Sequence, residues 1–252
     1  MKKLMFAAAA IAAGVAVADI SSANIVGYQT IENPQMNTYQ VATFNGIGEE
    51  GYSIQKLIPV GDTVVGGGEV TLMTLKADKT TAKTFFYFTD AEYGTDCGED
   101  GWFEDMNDTS ELSSYVFDPG EGFIFYSQNG VARLTYSGEV KYPVSLDFSQ
   151  GNTISGNFWP KKMPIQALQP SGTTVVGGGE VTLMTMHANK TTKKTFFYFT
   201  DAEYGTDCGE DGWFEDMNDT SELSAFEFEP GEGFIFYSQN GAAKITYPEV
   251  MD

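Results

Sequence analysis

The residues of this chain best suited to chemistry are carboxylates gathered in one short stretch. Between Asp90 and Glu111, 22 residues include nine acidic side chains and neither Lys nor Arg. The nine are Asp90, Glu92, Asp96, Glu99, Asp100, Glu104, Asp105, Asp108 and Glu111. Carboxylates at this density repel one another unless they are solvated or bound to a hard cation such as Ca²⁺. The stretch therefore predicts either a calcium site or a solvated acidic surface.

The predicted calcium ligands are the densest oxygen cluster in this stretch, namely Asp96, Glu99, Asp100 and Asp105. Nearby Gly98 and Gly101 allow the backbone to approach a ligand closely. The spacing does not match an EF-hand. Counted from Asp96, the twelfth position is Asn107, where that loop needs a bidentate Glu.

The acidic stretch occurs twice because most of the chain is a repeat. Thr63 to Tyr136 returns as Thr174 to Tyr247, and 63 of these 74 positions are identical. The second copy supplies its own predicted calcium ligands, Asp207, Glu210, Asp211 and Asp216. Upstream the match is weaker: Thr38 pairs with Thr153, and the first repeat then carries four extra residues before Ile54. A repeat of this length is the size of a domain, which predicts tandem homologous domains at residues 19–137 and 138–252.

The elements that must position these residues are predicted to be β-strands. Strands are expected at 25–31, 39–44, 70–75, 84–89, 122–128 and 131–136, with equivalents in the second repeat. Asn129-Gly130 is a hairpin signal, and a turn is predicted at 118–121. Gly and Pro turns between short strands favour an all-β fold of two β-sandwich or small-barrel domains.

Consecutive aromatic residues in two of these strands point to both faces of the sheet. They are Phe85 to Phe88 and Phe123 to Tyr126. Strands that are apolar on both faces are usually covered on both faces. The pattern predicts central strands covered by the core on one side and by loops or the other repeat on the other. The alternative is a surface that self-associates or binds a ligand.

The first 18 residues predict an exported protein. Lys2 and Lys3 precede a short apolar run that ends in Ala16-Val17-Ala18, which is the pattern of a cleaved signal peptide. Cleavage leaves 12 basic and 35 acidic residues, a formal charge of −23. Nucleic acid needs a basic surface, so it is excluded as a partner. The expected mature protein is extracytoplasmic and has no membrane span.

The tryptophan of each acidic stretch allows two interpretations. Trp102 and Trp213 both follow glycine within a Gly-Trp-Phe-Glu-Asp segment. A tryptophan beside an exposed acidic loop can stack on a sugar ring, which would make these residues a ligand-binding platform. More often such a residue closes one end of a β core.

Each repeat contains one cysteine, Cys97 or Cys208. In an oxidising compartment these residues could bridge the two repeats, bridge two chains or remain free thiols. Cysteine catalysis is disfavoured because the only histidine, His187, is replaced by Lys76 in the first repeat. The sequence has no nucleophile elbow and no phosphate-binding loop. The run at Gly66 is instead predicted to be a turn or bulge.

The layout resembles a group of exported bacterial β-repeat proteins with no assigned activity. The resemblance rests on the ANIVGYQT start at residues 23–30, the Gly-Trp segment and PGEGFIFYSQNG before the closing strand. It covers most of the mature chain and implies an exported β-repeat fold. It implies no functional residues.

These observations favour a secreted, acidic, non-catalytic structural or adhesive surface protein that is assisted by calcium. Its expected partners are other copies of itself or an extracellular glycan. The alternative is a carbohydrate-binding module that uses its Trp and Tyr side chains as a platform. The third hypothesis is a glycoside hydrolase, which needs only two well-placed carboxylates.

Overall fold

The computed structural model describes residues 26–33, 38–43, 51–75, 83–118, 120–139, 145–157, 161–185 and 194–247. The predicted signal peptide lies outside these ranges. Within them, no helix is long and apolar enough to cross a membrane.

The described chain consists mainly of strands, which confirms the predicted all-β class. The first repeat contains β1 (Val26–Asn33), β2 (Thr38–Thr43), β3 (Tyr52–Ser53), β4 (Pro59–Val60), β5 (Gly67–Thr74), β6 (Lys83–Phe88), β7 (Gly101–Phe103), β8 (Val116–Phe117), β9 (Gly122–Ser127) and β10 (Ala132–Glu139). The second contains β11 (Ser145–Phe148), β12 (Gly151–Gly156), β13 (Met163–Pro164), β14 (Gln169–Ser171), β15 (Gly178–Thr185), β16 (Lys194–Phe199), β17 (Gly212–Phe214), β18 (Glu227–Phe228), β19 (Gly233–Ser238) and β20 (Ala243–Thr246). All six strands predicted for the first repeat are present.

In the described ranges, four single turns of helix interrupt the strands, and none of them was predicted. They are the α-helices α1 (Asp90–Tyr93) and α2 (Asp201–Tyr204) and the 3₁₀ turns Ile54–Lys56 and Ile165–Ala167. Elements this short contain no helical period, so hydrophobic patterning cannot identify them.

Both repeats form the same set of antiparallel sheets. In the first repeat, five strands pair in the order β2-β9-β5-β6-β7, three in the order β1-β10-β4, and β3 pairs with β8. The second repeat reproduces this order as β12-β19-β15-β16-β17, β11-β20-β14 and β13-β18. No sheet in the described ranges closes into a barrel. Between the two predicted architectures, the pairing therefore favours the sandwich.

The core of each repeat lies between its large and its small sheet. In the first repeat, Val70, Phe85 and Phe123 of the five-stranded sheet are fully buried. They share one apolar cluster with Ile31 and Leu134 of the three-stranded sheet. Burying side chains between two sheet faces is the packing of a β-sandwich.

The sheet face away from this core is covered at Phe88 and only half-covered at Phe86, Ile124 and Tyr126, which bears out part of what the consecutive aromatics predicted. Phe85 points into the core, whereas Phe88 is buried on the opposite side of β6. There the Phe88 ring lies 4.3 Å from Tyr93 and 5.9 Å from Phe103, measured between centroids. Segments that follow β6 therefore cover this part of the second face.

The run of three glycines at the start of β5, Gly66 to Gly68, forms the predicted bulge. Gly67 lies opposite Phe88, but the next paired residue, Thr71, lies opposite Phe86, so β5 contains extra residues. Gly68 has a φ of 82°, and a Cβ atom there would lie 2.7 Å from the Phe88 ring. Only glycine fits this position without strain.

The two repeats contact each other at β12, the edge strand of the second large sheet. The Ile154 N–H of β12 donates to the Leu75 carbonyl, which follows β5, with an N–O distance of 3.1 Å. The Ser155 hydroxyl donates to the Gly120 carbonyl at 2.6 Å. The outward-facing backbone of β12 is thus paired in part by the first repeat.

Strand register corrects the predicted alignment upstream of the main repeat. Thr38 lies opposite Ser127, and Gly151 lies opposite the equivalent residue Ser238. Thr38 is therefore equivalent to Gly151, and its predicted pairing with Thr153 is wrong by two residues. Consequently, two of the four extra residues of the first repeat precede β2 and two follow it.

Candidate functional site

The candidate site is the pair of acidic loops, Asp90–Glu111 in the first repeat and Asp201–Glu222 in the second. Each loop leaves the large sheet through a single helical turn, which in the first repeat ends at Gly94 with a left-handed φ of 70°. The loop then returns to the sheet as β7 and turns back tightly where Asp105 bridges to Asp108. The stacking of Phe88 on Tyr93 fixes the start of the loop to the sheet.

Several of the predicted calcium ligands hold the loop together through hydrogen bonds. An Asp100 carboxylate oxygen accepts the Asp90 N–H at 2.7 Å. Asp96 accepts the Thr109 hydroxyl at 3.3 Å, and its own N–H donates to the same hydroxyl at 3.0 Å. Asp105 accepts the Asn107 N–H at 2.8 Å. These carboxylates act as acceptors for local backbone and hydroxyl groups, as aspartates do in turns.

The second loop repeats these contacts. Asp211 accepts the Asp201 N–H at 2.7 Å, and Asp216 accepts the Asn218 N–H at 2.9 Å. Asp207 accepts the Thr220 hydroxyl at 3.3 Å. The backbone N–H groups of Glu99 and Glu210 donate to Thr95 and Thr206 at 3.0 Å and 3.1 Å.

The eight predicted calcium ligands do not form a closed site in either repeat. Across the described parts of the chain, no three His, Cys, Asp or Glu side chains gather closely enough to hold a metal ion. Within each loop the aspartates contact different backbone segments, which spreads their oxygens apart. Calcium binding stays a prediction.

Each acidic loop nevertheless borders a concave pocket. The pocket of the first repeat has a volume of about 260 Å³. Four carboxylates line it: Glu104, Asp105, Asp108 and Glu111. The pocket of the second repeat has a volume of about 360 Å³, and its lining carboxylates are Glu215, Asp216, Asp219 and Glu222. The structure thus presents the same acidic concavity twice.

Three carboxylates of these pockets, Asp108, Asp219 and Glu215, have surroundings that favour their charged form. Hydrogen bonds from the Ser110 hydroxyl, and then from its N–H, lower the pKa of Asp108 below its usual range. Ser221 lowers the pKa of Asp219 in the same way. A hydrogen bond from Lys194, at 2.9 Å, lowers the pKa of Glu215 against the opposing effect of burial. The pocket environment therefore favours ionised carboxylates, which is what a cation requires.

The sugar-stacking role predicted for Trp102 and Trp213 is wrong because neither ring is accessible to a ligand. Both tryptophans are fully buried. The Trp102 ring N–H donates to the Leu57 carbonyl at 2.5 Å, and that of Trp213 donates to the Leu168 carbonyl at 2.7 Å. They close the β core, which is the alternative that the sequence left open.

Cys97 and Cys208 form no disulfide with each other, and a bridge between two chains stays one of the predicted alternatives. Cys97 and Cys208 are partly exposed within their own loops. Each sulfur lies 3.9 Å from the hydroxyl of the threonine two residues earlier. The disulfide bridge between the repeats is therefore not formed in this structure.

A buried carboxylate that sequence reasoning missed lies beside the glycine run. Glu69 is 6% exposed. Its carboxylate accepts the N–H groups of Val65, Gly66 and Gly67 at 2.7, 3.0 and 2.8 Å. The glycine turn is an anion-binding cradle, and the chain's own side chain fills it. An acidic residue directly after the glycines in both repeats was the signal that could have revealed it.

The glutamate of the PGEGF motif has a similar structural role. Glu121 is buried and accepts the Thr74 hydroxyl at 2.5 Å and the Asp118 N–H at 2.9 Å. It also accepts the Tyr115 hydroxyl. Burial, followed by the charge of Glu121, raises the pKa of Tyr115 and keeps this hydroxyl a donor. The motif therefore fixes the turn before β9.

No protein-family model matches the chain, and neither a curated protein nor a solved structure matches it significantly. The resemblance to exported β-repeat proteins stays a prediction.

Proposed function

We propose that this is an exported, non-catalytic structural or adhesive protein whose molecules associate through their acidic pockets, with calcium between them. The observation that carries the proposal is the duplicated pocket, in which four carboxylates line each concavity of a hydrogen-bonded loop. Export rests on the predicted signal peptide.

Charge explains why a cation belongs in this proposal. With a formal charge of −23 after cleavage, two molecules repel each other, most strongly where their acidic loops meet. A divalent cation removes that repulsion and is attracted by ionised carboxylates. Calcium takes roughly six to eight oxygens at flexible angles, so two pockets on neighbouring molecules together supply what one pocket lacks.

Because each molecule has two pockets, more than two molecules could associate. A molecule with one site forms a dimer, whereas a molecule with two sites can join a neighbour at each of them. Two weak contacts between the same partners also act together, which raises the overall affinity without new chemistry. Weak calcium sites suit an extracellular setting.

The pocket chemistry favours a binding role over hydrolysis. A glycosidase needs one carboxylic acid whose pKa is raised so that it stays protonated. The pKa values of Asp108, Asp219 and Glu215 are instead lowered by hydrogen bonds. The carbohydrate-binding alternative loses part of its platform, because Trp102 and Trp213 are buried; in the described ranges, Tyr93 and Tyr204 are the exposed aromatic residues that it retains.

Calcium is expected to raise the melting temperature of the mature protein more than Mg²⁺ does, and more than NaCl at matched ionic strength. A ligand that binds only the folded state stabilises it by about 2.7 kcal/mol at a hundred times its dissociation constant. Magnesium demands stricter octahedral geometry and should act more weakly. Differential scanning calorimetry measures the effect.

Two matched double variants test whether the calcium-induced rise in melting temperature comes from the acidic pockets. Asp105→Asn with Asp216→Asn removes one pocket charge per repeat but keeps an oxygen for the backbone N–H it accepts. This variant should lose much of the calcium-induced shift. Asp100→Asn with Asp211→Asn removes equal charge from the loop outside the pocket lining, and should retain the shift. Equal responses to Ca²⁺, Mg²⁺ and NaCl would show charge screening alone and would contradict the proposal.

A further inference from the structure

One exposed turn in each acidic loop has the sequence of an acceptor for N-linked glycosylation. Asn107-Asp108-Thr109 and its repeat Asn218-Asp219-Thr220 match the pattern Asn-x-Ser/Thr, with a residue other than proline between. A third match begins at Asn189, outside the residues that the structure describes. In an exported protein this pattern marks a surface asparagine that can receive an oligosaccharide.

The geometry of the turn presents the asparagine to solvent. Asp105 and Asp108 bridge across the turn, which leaves Met106 and Asn107 at its tip. Met106 is 45% exposed, and Asn107 is exposed beside it. The Asn107 side-chain amide makes only a long contact, 3.4 Å, with Asp105. Asn107 does not itself line the acidic pocket, so a glycan attached there would project into solvent from the pocket rim without displacing any core residue.

The third residue of the motif dictates when modification would occur. Thr109 is 2% exposed, and its hydroxyl bonds to both the N–H and the carboxylate of Asp96. A transferase must read this hydroxyl along with the asparagine. The closed loop hides the hydroxyl, so the reaction would take place on the unfolded chain during export. Once folded, the loop buries the threonine and leaves the modified asparagine outside.

We propose that Asn107 and Asn218 are N-glycosylated during export, with a lipid-diphosphate-linked oligosaccharide as the donor. A bond forms between the asparagine Nδ2 and the anomeric carbon of the first sugar. The bond from that carbon to the diphosphate oxygen breaks, and the lipid diphosphate leaves with the bonding electrons. The amide nitrogen loses one proton to a base of the transferase, and no oxidation or reduction is involved.

Other asparagines of the same chain provide internal controls. Asn129 and Asn240 are also exposed at turn tips, but valine and alanine stand two residues later where the motif needs a hydroxyl. The fully buried Asn157 is followed at that position by Trp159. Among these asparagines, Asn107 and Asn218 combine an exposed side chain with the glycosylation motif.

The test is peptide sequencing by electron-transfer mass spectrometry on the mature protein recovered from the cells that produce it. We expect glycan mass on Asn107 and Asn218 and none on Asn129 or Asn240. Asn107→Gln with Asn218→Gln should lose that mass and keep the melting temperature of the enzymatically deglycosylated wild type. Thr109→Ser with Thr220→Ser preserves the motif and should keep the glycan.

Two outcomes would overturn the proposal, and the N-terminal peptide separates them. The proposal rests on export, which is also part of the proposed function. Bare Asn107 and Asn218 in a protein that begins at Asp19 would overturn glycosylation alone and leave the calcium-dependent association standing. An intact Lys2-Lys3 start would overturn export and both proposals that depend on it.

Discussion

Replacing Trp102 with alanine is expected to lower the free energy of unfolding by about 3–5 kcal/mol, as is typical when a large buried aromatic residue is removed. The ring is fully buried beside Tyr87, with 5.4 Å between ring centroids, and its N–H bonds to the Leu57 carbonyl. Alanine would leave both a cavity and an unpaired carbonyl. Trp213→Ala should have the same effect, because Trp213 is equally buried and bonds to Leu168.

Urea unfolding followed by far-ultraviolet circular dichroism measures this loss. Met106→Ala and Met217→Ala are suitable controls, since both methionines are nearly half exposed and each change should cost less than about 0.5 kcal/mol. A Trp102→Ala protein as stable as the Met106→Ala protein would show that the ring does not close the core. It would reopen the sugar-platform interpretation.

Glu180→Ala is expected to destabilise the protein by more than about 3 kcal/mol, because hydrogen bonds to a charged group each contribute about 1.5–3 kcal/mol. Glu180 is 6% exposed. It accepts the N–H groups of Val176, Gly177 and Gly178 at 2.7, 3.0 and 2.8 Å. Alanine would leave three donors without their acceptor at the turn that starts β15. The measurement is again denaturant unfolding.

The same carboxylate makes stability depend on pH in a defined direction. Burial alone raises the pKa of Glu180, but backbone hydrogen bonds, led by that of Gly177, outweigh it and bring the pKa below its ordinary value. The folded state therefore binds this proton less readily than the unfolded state does. The stabilisation is complete above the unfolded pKa, about 4.3, and is lost as the pH falls through the lower folded pKa.

The Glu180→Gln variant tests whether the pH dependence of stability comes from the charge of Glu180, because glutamine has nearly the same shape but cannot ionise. The amide keeps one acceptor oxygen but cannot ionise, so the variant should be less stable than the wild type at neutral pH. Its stability should also change less as the pH falls below about 4. If the wild type and the Gln variant lost stability in parallel over this range, other carboxylates would be responsible for the acid sensitivity.

Local patterning predicted the long strands of this fold well. Strands such as β5 and β6 are rich in β-branched and aromatic residues and are bounded by Gly or polar turns, so their own residues specify them. The partly covered second face of β6 also followed from consecutive aromatics. The strands of two or three residues, such as β4 and β7, were not predicted, because their pairing depends on tertiary contacts rather than on a local period.

The candidate site was predicted in position but not in detail. Carboxylate density located the acidic loops, yet density cannot show where each oxygen points. Asp96 and Asp100 bond to different parts of the loop, which only coordinates reveal. The side of the sheet that Trp102 faces was equally undetermined, since β7 is too short for an alternating pattern. The role of Glu69 was not predicted, because the sequence does not show that its carboxylate folds back onto the N–H groups of Val65, Gly66 and Gly67.

Sedimentation velocity of the mature protein, with and without calcium, tests the central proposal most directly. We expect monomers in a chelator and larger species when Ca²⁺ is added, with little change in NaCl of equal ionic strength. We also expect that Asp105→Asn with Asp216→Asn shifts this association to higher calcium, while Asp100→Asn with Asp211→Asn behaves as the wild type. An unchanged sedimentation coefficient at saturating Ca²⁺, or the same increase in NaCl, would contradict calcium-dependent association through the acidic pockets.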